Sequence, residues 1–349
     1  MFHFNARAAA TAISRRFNMA RSPRLTTIKT TLARAGFSTF LLAIVAAIAL
    51  AWLRPTWGNQ PVLNEVTFYG VAAIFFLYGL SISASQLRAD LSNWKVHALV
   101  QSATFVIFPI IALVVKPLFP QAGATVWLGV FYLAVLPSTV SSSVVMVSLA
   151  KGNITSAIFN ATLSGFIGIL LTPLLMSFFL AASGNFDWQS VTLKLAVQVL
   201  LPVGVGMVLH QKWGAFVTKH KARLKWFDQS IIVLIIYTSF CRSFVEGIFE
   251  GFGWQLIGLL AIAMAMLFLM MVMLLQWISK VMSLSRYDMI TVVFCGSKKS
   301  LVHGTVMSKV LFHSCMSVGI LLLPLMLYHA LQLMMASALA QKFATDNRG

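Results

Sequence analysis

The sequence predicts an all-α polytopic membrane protein, and three observations support that prediction. The first is composition, because 59% of the 349 residues are hydrophobic and only 10% are charged, whereas soluble domains carry about 25% charged residues. The second is the recurrence of apolar segments of about 20 residues, the length that a helix needs to cross a bilayer while satisfying its own backbone. The third is the uneven distribution of lysine and arginine between those segments.

Ten transmembrane helices are predicted. They cover residues 37–53, 64–83, 95–115, 124–149, 154–181, 191–210, 227–245, 254–279, 287–309 and 312–337. With the N-terminus placed in the cytoplasm, the inside segments hold 19 Lys and Arg residues and the outside segments hold five. Such an excess on one side orients membrane proteins. It predicts cytoplasmic termini in a bacterial inner membrane, and it accounts for the net charge of +18 without a nucleic-acid partner.

The remaining segments lie outside the helical domain of residues 37–337. Residues 1–36 are basic, rich in Ser and Thr and free of acidic residues. They are predicted to form a disordered cytoplasmic arm, with a transit peptide as the alternative. Residues 338–349 are predicted to be a cytoplasmic tail. The cysteines Cys241, Cys295 and Cys315 show no metal-site spacing, so no disulfide framework, metal site or other cofactor is predicted. The sequence leaves the oligomeric state open.

A weak internal repeat divides the chain. The motif GILLTPLL at 168–175 recurs as GILLLPLM at 319–326, with six of eight positions identical. The copies fall in spans five and ten, so repeats 37–181 and 191–337 would have opposite orientations, as in many secondary transporters. Under this pairing, span four corresponds to span nine. Both are interrupted, by LPSTVSSSVVM at 136–146 and by FCGSKKSLVHG at 294–304.

Broken helices at matching positions of two repeats indicate a transporter's binding site. Ser141 lies ten residues from Lys151, and Lys298 lies ten residues from Asp288. Ten helical residues rise about 15 Å, which is half the thickness of the hydrocarbon core. The two polar clusters are therefore predicted to meet near the midplane. In the alternative interpretation the serines only bond within their own helix, and the lysines lie in a cytoplasmic loop.

The motifs LPSTVSSSVVMVSLAKGN, LLTPLL and FCGSKKSLVHG resemble the bile acid:sodium symporter superfamily. The resemblance runs from about Phe37 to Ser337, and FCGSKKSL resembles the YfeH-like branch, which includes the seventh member of human solute carrier family 10. It implies ten helices in two inverted five-helix repeats, with a panel domain packed against a core domain in which broken spans four and nine cross. It also implies a sodium-dependent, bile acid symporter-like transporter that works by alternating access.

The resemblance does not extend to the family's sodium ligands. Ser143 aligns with a ligand serine, but Val144 stands where relatives have asparagine, Phe294 where they have glutamate, and Lys298 where they have glutamine. Ser156, Asn160 and Ser164 keep oxygen side chains on one face of span five. A rearranged sodium site would use Ser143, Ser156 and Asn160. Alternatively, Lys298 replaces the ion and carries a coupling proton.

The predicted function is secondary transport of a small organic, anionic solute across the lipid bilayer. The predicted solute- or ion-binding residues are Ser138, Thr139, Ser141, Ser142, Ser143, Ser156, Asn160, Ser164, Ser297, Lys298, Lys299 and Ser300, with Pro137 and Gly296 breaking the helices. An enzyme is not expected, since the eight acidic residues include no adjacent pair and no nucleotide-binding loop is present. Ser300 and His303 are close enough to touch, but a core histidine is the simpler interpretation. A non-transporting regulatory membrane protein is the other alternative.

Overall fold

The computed structural model describes residues 39–81, 93–118, 123–181, 196–247, 253–312 and 318–345, which are helical and contain no strand. The chain divides into a short unit, Met1–Leu42, and a large one, Ala43–Gly349. Only the start of the first helix is described in the short unit. The predicted arm 1–36, residues 182–190 between the two predicted repeats, and Cys315 lie outside the described residues.

Twelve helices are described. The first six are α1 (Thr39–Leu53), α2 (Pro61–Ser81), α3 (Trp94–Val115), α4 (Ala124–Val135), α5 (Ser141–Leu149) and α6 (Ile154–Ala181). The second six are α7 (Leu201–Lys219), α8 (Lys221–Val245), α9 (Trp254–Val281), α10 (Arg286–Gly296), α11 (Leu301–Leu311) and α12 (Val318–Thr345). Short 3-10 turns cover Pro55–Asn59 and Lys116–Leu118, and a π-helical turn covers Ala196–Leu200 before α7.

Six of these helices are long and apolar enough to cross a membrane, namely α2, α3, α6, α8, α9 and α12. The apolar helices α1 and α4 are shorter. The chain is thus an all-helical polytopic membrane protein. The ten-span arrangement in two inverted repeats stays a prediction.

Helices α2 and α7 pack with their backbones in close contact. A Cβ atom at Gly79 would overlap the carbonyl oxygen of Val203, and a Cβ atom at Gly206 would overlap that of Phe76. Small residues at helix crossings allow this approach in membranes, where dispersion contacts drive helix association. The pair joins a helix of the first predicted repeat to one of the second.

Two helices continue beyond their predicted ends. Helix α7 runs to Lys219 rather than to residue 210, and His220 alone separates it from α8. Helix α12 continues through residues 338–345, where a tail was predicted. Ala338, Leu339 and Ala340 are strong helix formers, and Arg286 of α10 donates to the carbonyl of Phe343 at 2.8 Å. Hydropathy predicts where lipid contact ends, but a helix can continue into water.

Three irregularities interrupt the helices. Residues 136–140 separate α4 from α5, and residues 297–300 separate α10 from α11, as the Pro and Gly positions predict. Inside α3, residues Ala103–Ile107 form a π-helical turn that the sequence does not predict. All three irregularities meet at the same buried cluster of polar groups.

Candidate functional site

The first break leaves the last carbonyl groups of α4 without partners in their own helix. A helix end leaves its final carbonyls without intrahelical donors, and Pro137 contributes no N–H group. Partners come instead from distant elements. Thr172 of α6 donates to the carbonyl of Val135 at 2.7 Å, and the backbone N–H of Ser300 donates to that of Pro137 at 2.9 Å. The break is therefore held by α6 and by the second break.

The second break is tied back to the first. The hydroxyl of Ser138 donates to the carbonyl of Cys295, near the end of α10, at 2.6 Å. The backbone N–H of Ser138 donates to Ser164 of α6 at 2.9 Å. Ser300 caps α11, since its hydroxyl accepts from the N–H of His303 at 3.3 Å. Together with the Ser300–Pro137 bond, these contacts bring the breaks within hydrogen-bonding distance, as predicted from their matching depth.

Lys299 supplies the remaining donors at the first break. Its ammonium group donates to the carbonyls of Thr104, Ala134 and Leu136, at 2.7, 2.6 and 2.9 Å. It also lies 4.1 Å from the centre of the Phe108 ring, close enough for a cation–π contact. The negative end of α4's helix dipole favours a cation at this position. All three ammonium hydrogens are used, and the side chain is fully buried.

The acceptor that α3 provides was not predicted from the sequence. In the π-helical turn, the N–H of Phe108 donates to the carbonyl of Ala103, five residues earlier. The next donor in that register would be Pro109, which has no N–H group. The carbonyl of Thr104 is therefore left free for Lys299. The signal for this free carbonyl in the sequence was Pro109, which follows Thr104 by five residues.

Gln332 of α12 is the second missed residue. Its side chain accepts from the backbone N–H of Lys299 at 2.9 Å and donates to the carbonyl of Lys299 at 2.8 Å. Tyr328, one turn earlier, donates to the carbonyl of Ser297 at 2.6 Å. These bonds fix the non-helical backbone of the second break. The signal in the sequence was the occurrence of polar residues in an otherwise apolar span.

Lys298 is buried as completely as Lys299 but makes fewer bonds. Its ammonium group donates to the carbonyl of Ser142, in the first turn of α5, at 2.9 Å. It lies 5.7 Å from the centre of the Phe294 ring. Among the described residues, no hydrogen-bond partner is recorded for its other two hydrogens. Lys298 therefore retains unused donor capacity beside the serine-rich start of α5.

The serine-rich segment forms its own hydroxyl cluster. Thr139 lies 2.7 Å from the hydroxyl of Ser142 and 2.9 Å from that of Ser143. The side chain of Ser141 lies outside the description, so its predicted role stays a prediction. Ser297 is buried in the second break, and its hydroxyl has no partner in the described part of the chain.

The polar residues of α6 point inward and belong to two groups. Ser164 holds the first break through Ser138. Asn160 contacts His97 at 2.9 Å and accepts from Gln101 at 3.3 Å, both on α3. Nearby, Asn93 donates weakly to Ser156 at 3.4 Å. Asn160 thus contacts α3, whereas Ser143 lies beside Thr139 at the first break. The predicted sodium site at Ser143, Ser156 and Asn160 stays a prediction.

The site is closed to solvent in this conformation, since Lys298, Ser143 and Asn160 have 0% exposed surface. Lys299, rather than Lys298, binds the carbonyls at the C-terminal end of α4. Neighbouring side chains point in different directions, and sequence alone does not show which of the two enters the first break.

The lysines have no carboxylate partner in the described part of the chain. Burial of two cations suggests pairing with an acidic residue such as Glu65, Glu246 or Glu250, but the recorded partners are backbone carbonyls and aromatic rings. Glu246 instead binds Arg242 at 2.9 Å, and Glu250 lies outside the described residues. The described residues contain no group of three His, Cys, Asp or Glu that could hold a metal ion.

Ser300 and His303 touch, as their spacing predicts, with 2.9 Å between the hydroxyl and Nδ1. The other imidazole nitrogen has no hydrogen-bond partner among the described residues, and the ring packs against Tyr78. A catalytic serine–histidine pair needs a third group to orient the histidine. The described contacts instead make Ser300 a helix cap.

The family comparison covers most of the chain. A model of the SBF-like CPA transporter family matches residues 38–345. The chain belongs to this SBF-like CPA transporter family. The match begins with α1 and ends with α12, so it includes both helix breaks.

Individual relatives place this SBF-like chain within the superfamily. An uncharacterized protein of Pseudomonas aeruginosa is 38% identical over 308 residues, covering 87% of this chain and 92% of the relative. YfeH of Escherichia coli K12 is 32% identical, with the same coverage. Sodium/bile acid cotransporter 7 of Xenopus tropicalis is 30% identical, covering 86% of this chain and 90% of the relative. The chain is therefore a member of the YfeH and solute carrier family 10 member 7 branch of the bile acid:sodium symporter superfamily.

Proposed function

We propose that this chain is a secondary active transporter that moves a small organic anion across the bacterial inner membrane. The proposal includes ten spans in two inverted repeats, a panel and a core domain, and alternating access around the two breaks. The family is one of transporters, and a relative is named a sodium/bile acid cotransporter. Bile acids are organic anions, so taurocholate is a suitable first test solute.

The observation that carries the proposal is the pair of buried lysines where two broken helices meet. Intramembrane charge is costly and usually functional. Lys298 and Lys299 lie in the second break, and their bonds cross to the first. Because neither has a recorded carboxylate partner in the described residues, the cluster carries positive charge that an anionic solute can balance.

The lysines have different roles in this proposal. Lys299 is a structural cation, since all three of its donors hold carbonyls at the helix ends. Lys298 has unused donors beside the Thr139–Ser143 hydroxyls, and it is the group that meets the solute as alternating access opens the site. If Lys298 releases a proton on one side of the membrane and regains it on the other, one proton accompanies each anion.

Sodium coupling is the competing mechanism, because the name of the cotransporter 7 relative includes sodium. A rearranged site would combine Ser143, Ser156 and Asn160 with carbonyls of the breaks. However, Lys299 already binds two carbonyls at the end of α4 and one carbonyl on α3. Proton coupling through Lys298 is therefore favoured.

Counterflow in liposomes tests the transport proposal without an imposed ion gradient. Proteoliposomes preloaded with unlabelled taurocholate or a sterol sulfate should accumulate the labelled solute above protein-free controls. Lys298→Ala should abolish accumulation, while Lys280→Ala, which removes an exposed cation from the last turn of α9, should not. If neither solute exchanges, the organic-anion proposal is contradicted, and a non-transporting regulatory protein becomes the better account.

A further inference from the structure

A cavity of about 400 Å³ lies away from the helix breaks, between the start of α2 and the ends of α8 and α11. Lys309 of α11 and Arg242 of α8 both line it. Lys309 is eight residues after Leu301, about 12 Å along the helix from the second break. The cavity is therefore separate from the Lys298 cluster, although α11 connects the two.

The cavity is positively charged. Its described lining contains Lys309 and Arg242 and no Asp or Glu. The ammonium group of Lys309 makes one recorded bond, to the hydroxyl of Thr238 at 3.2 Å, which leaves two hydrogens for a ligand. Arg242 uses its Nε to bind Glu246 at 2.9 Å. Two like charges facing one small space repel each other, and an anion between them removes that cost.

The other parts of the lining indicate what kind of anion fits. Phe68, Val71 and Phe312 form the apolar wall of the cavity. Ser239 also lines the cavity; it is 4% exposed, and its hydroxyl has no partner among the described residues. A buried hydroxyl without a partner is costly, and an oxygen of a bound anion would supply that partner. Charge, an orphan donor and an apolar wall together favour an organic anion over an inorganic one.

We propose that this cavity is a binding site for an organic anion, in which Lys309, Arg242 and Ser239 hold a carboxylate, sulfate or sulfonate head. The apolar body lies against Phe68 and Phe312. This inference rests on the proposed transport function, for which the cavity is the first station of the solute. Helix α11 begins at the second break, so an anion bound to Lys309 contacts the same helix that Ser300 caps.

Calorimetric titration of the full-length protein in phosphatidylcholine nanodiscs tests the site. Taurocholate and naphthalene-2-sulfonate serve as anionic probes, and 2-(methylsulfonyl)naphthalene serves as the neutral analogue of the second. At least one anion should bind, and the neutral analogue should bind at least about tenfold more weakly, since charge-assisted hydrogen bonds are lost. If neither anion binds, or if the neutral analogue binds equally well, the assignment is overturned.

Matched variants locate the binding site in the cavity. Lys309→Gln and Arg242→Gln should each weaken anion binding about tenfold, while Lys309→Arg should retain it. Lys280→Gln removes a distant exposed cation and should change nothing. Arg242 is exposed, so its variant remains informative if Lys309→Gln fails to fold. Unchanged affinity in Arg242→Gln, or in a folded Lys309→Gln, would contradict the proposal.

Two further outcomes separate this cavity from the transport proposal and from a lipid-binding site. Binding without any counterflow by the unaltered protein would reject transport but keep the cavity. A lipid headgroup offers similar chemistry. The assignment to a solute would be overturned by a lipid that meets three conditions. Phosphatidylglycerol would copurify at one molecule per protein, be displaced by naphthalene-2-sulfonate, and be absent from Lys309→Gln.

Discussion

Lys298 and Lys299 are adjacent in sequence, equally buried and chemically identical, yet their surroundings differ. Lys299 has three carbonyl acceptors and lies over the Phe108 ring, whereas Lys298 has one recorded carbonyl acceptor. A cation that is fully satisfied stabilises the structure around it, and one with spare donors is available to a ligand. This difference is the basis for assigning a structural role to Lys299 and the transport role to Lys298.

Stability measurements distinguish the two roles. Lys299→Met keeps the length of the side chain but leaves the carbonyls of Thr104, Ala134 and Leu136 without their donor. An unsatisfied buried polar group costs about 1–3 kcal/mol, so we expect a loss of about 3 kcal/mol or more. Lys298→Met, the matched control, removes one bond and should cost about 1 kcal/mol. Thermal unfolding in detergent measures both. Equal losses would contradict the assignment of roles.

The sequence predicted this part of the site incompletely for a physical reason. Proline, glycine and hydroxyl patterns indicate where a helix stops and where polar groups collect, so the breaks and both lysines were found. The partners of those lysines are backbone carbonyls, and every residue has one. Thr104 lies 195 residues from Lys299, and Ala134 lies 165 residues away. Only the packing of α3 against α4 selects them.

At the scale of whole elements, the irregular turn in α3 is as important as the two predicted breaks. Proline inside a helix ordinarily costs about 3 kcal/mol or more, because it removes a backbone hydrogen bond. In α3 that loss releases the carbonyl of Thr104, which then binds Lys299. Pro109 therefore stabilises the cluster by weakening its own helix.

The role of Pro109 predicts whether replacing it raises or lowers the stability of the protein. Pro109→Ala restores a backbone N–H that competes for the carbonyl of Thr104, so we expect a loss of about 1 kcal/mol. Pro173→Ala, in the middle of α6, is the control, and it should be neutral or stabilising. Melting temperatures of the two variants give the comparison. A clear gain in stability for Pro109→Ala would show that the turn does not serve Lys299.

The helix pattern illustrates the same limit of sequence reading. Apolar length and Pro or Gly positions predicted the helices and both interruptions, because hydropathy and missing N–H groups act locally. The π-helical turn and the continuation of α7 and α12 were not predicted. The turn accompanies a tertiary contact of Lys299 with Thr104, and the continuation of α12 combines helix-forming residues with the bond from Arg286 to Phe343. Hydropathy reports neither kind of contact.

At the scale of the whole molecule, the orientation in the membrane rests on charge. The proposed arrangement has both termini in the cytoplasm, since 19 Lys and Arg residues fall in the predicted inside segments and five in the outside segments. A green fluorescent protein fused after Gly349 should therefore fluoresce in bacterial cells, and alkaline phosphatase at the same place should be inactive. Active phosphatase with a dark fluorescent fusion would reverse the proposed orientation.

The proposed alternating access would connect this orientation to the site. Both lysines have 0% exposure in the described conformation, so under the proposal solute would reach Lys298 only after the helices around the breaks move. Lys299 and Gln332 keep the second break attached to α4 and α12, which favours rigid movement of this group over separate opening of each half-helix. In the proposed cycle, solute binding, helix movement and proton exchange follow one another.

Uptake of taurocholate into proteoliposomes under imposed ion gradients tests the central claim that Lys298 replaces a coupling ion. We expect uptake to follow an inward proton gradient, to be unchanged by an inward sodium gradient, and to disappear in Lys298→Ala but not in Lys280→Ala. The same experiment at matched membrane potential separates the chemical gradient from the electrical one. Uptake that follows sodium and survives Lys298→Ala would contradict the claim and restore a sodium site at Ser143, Ser156 and Asn160.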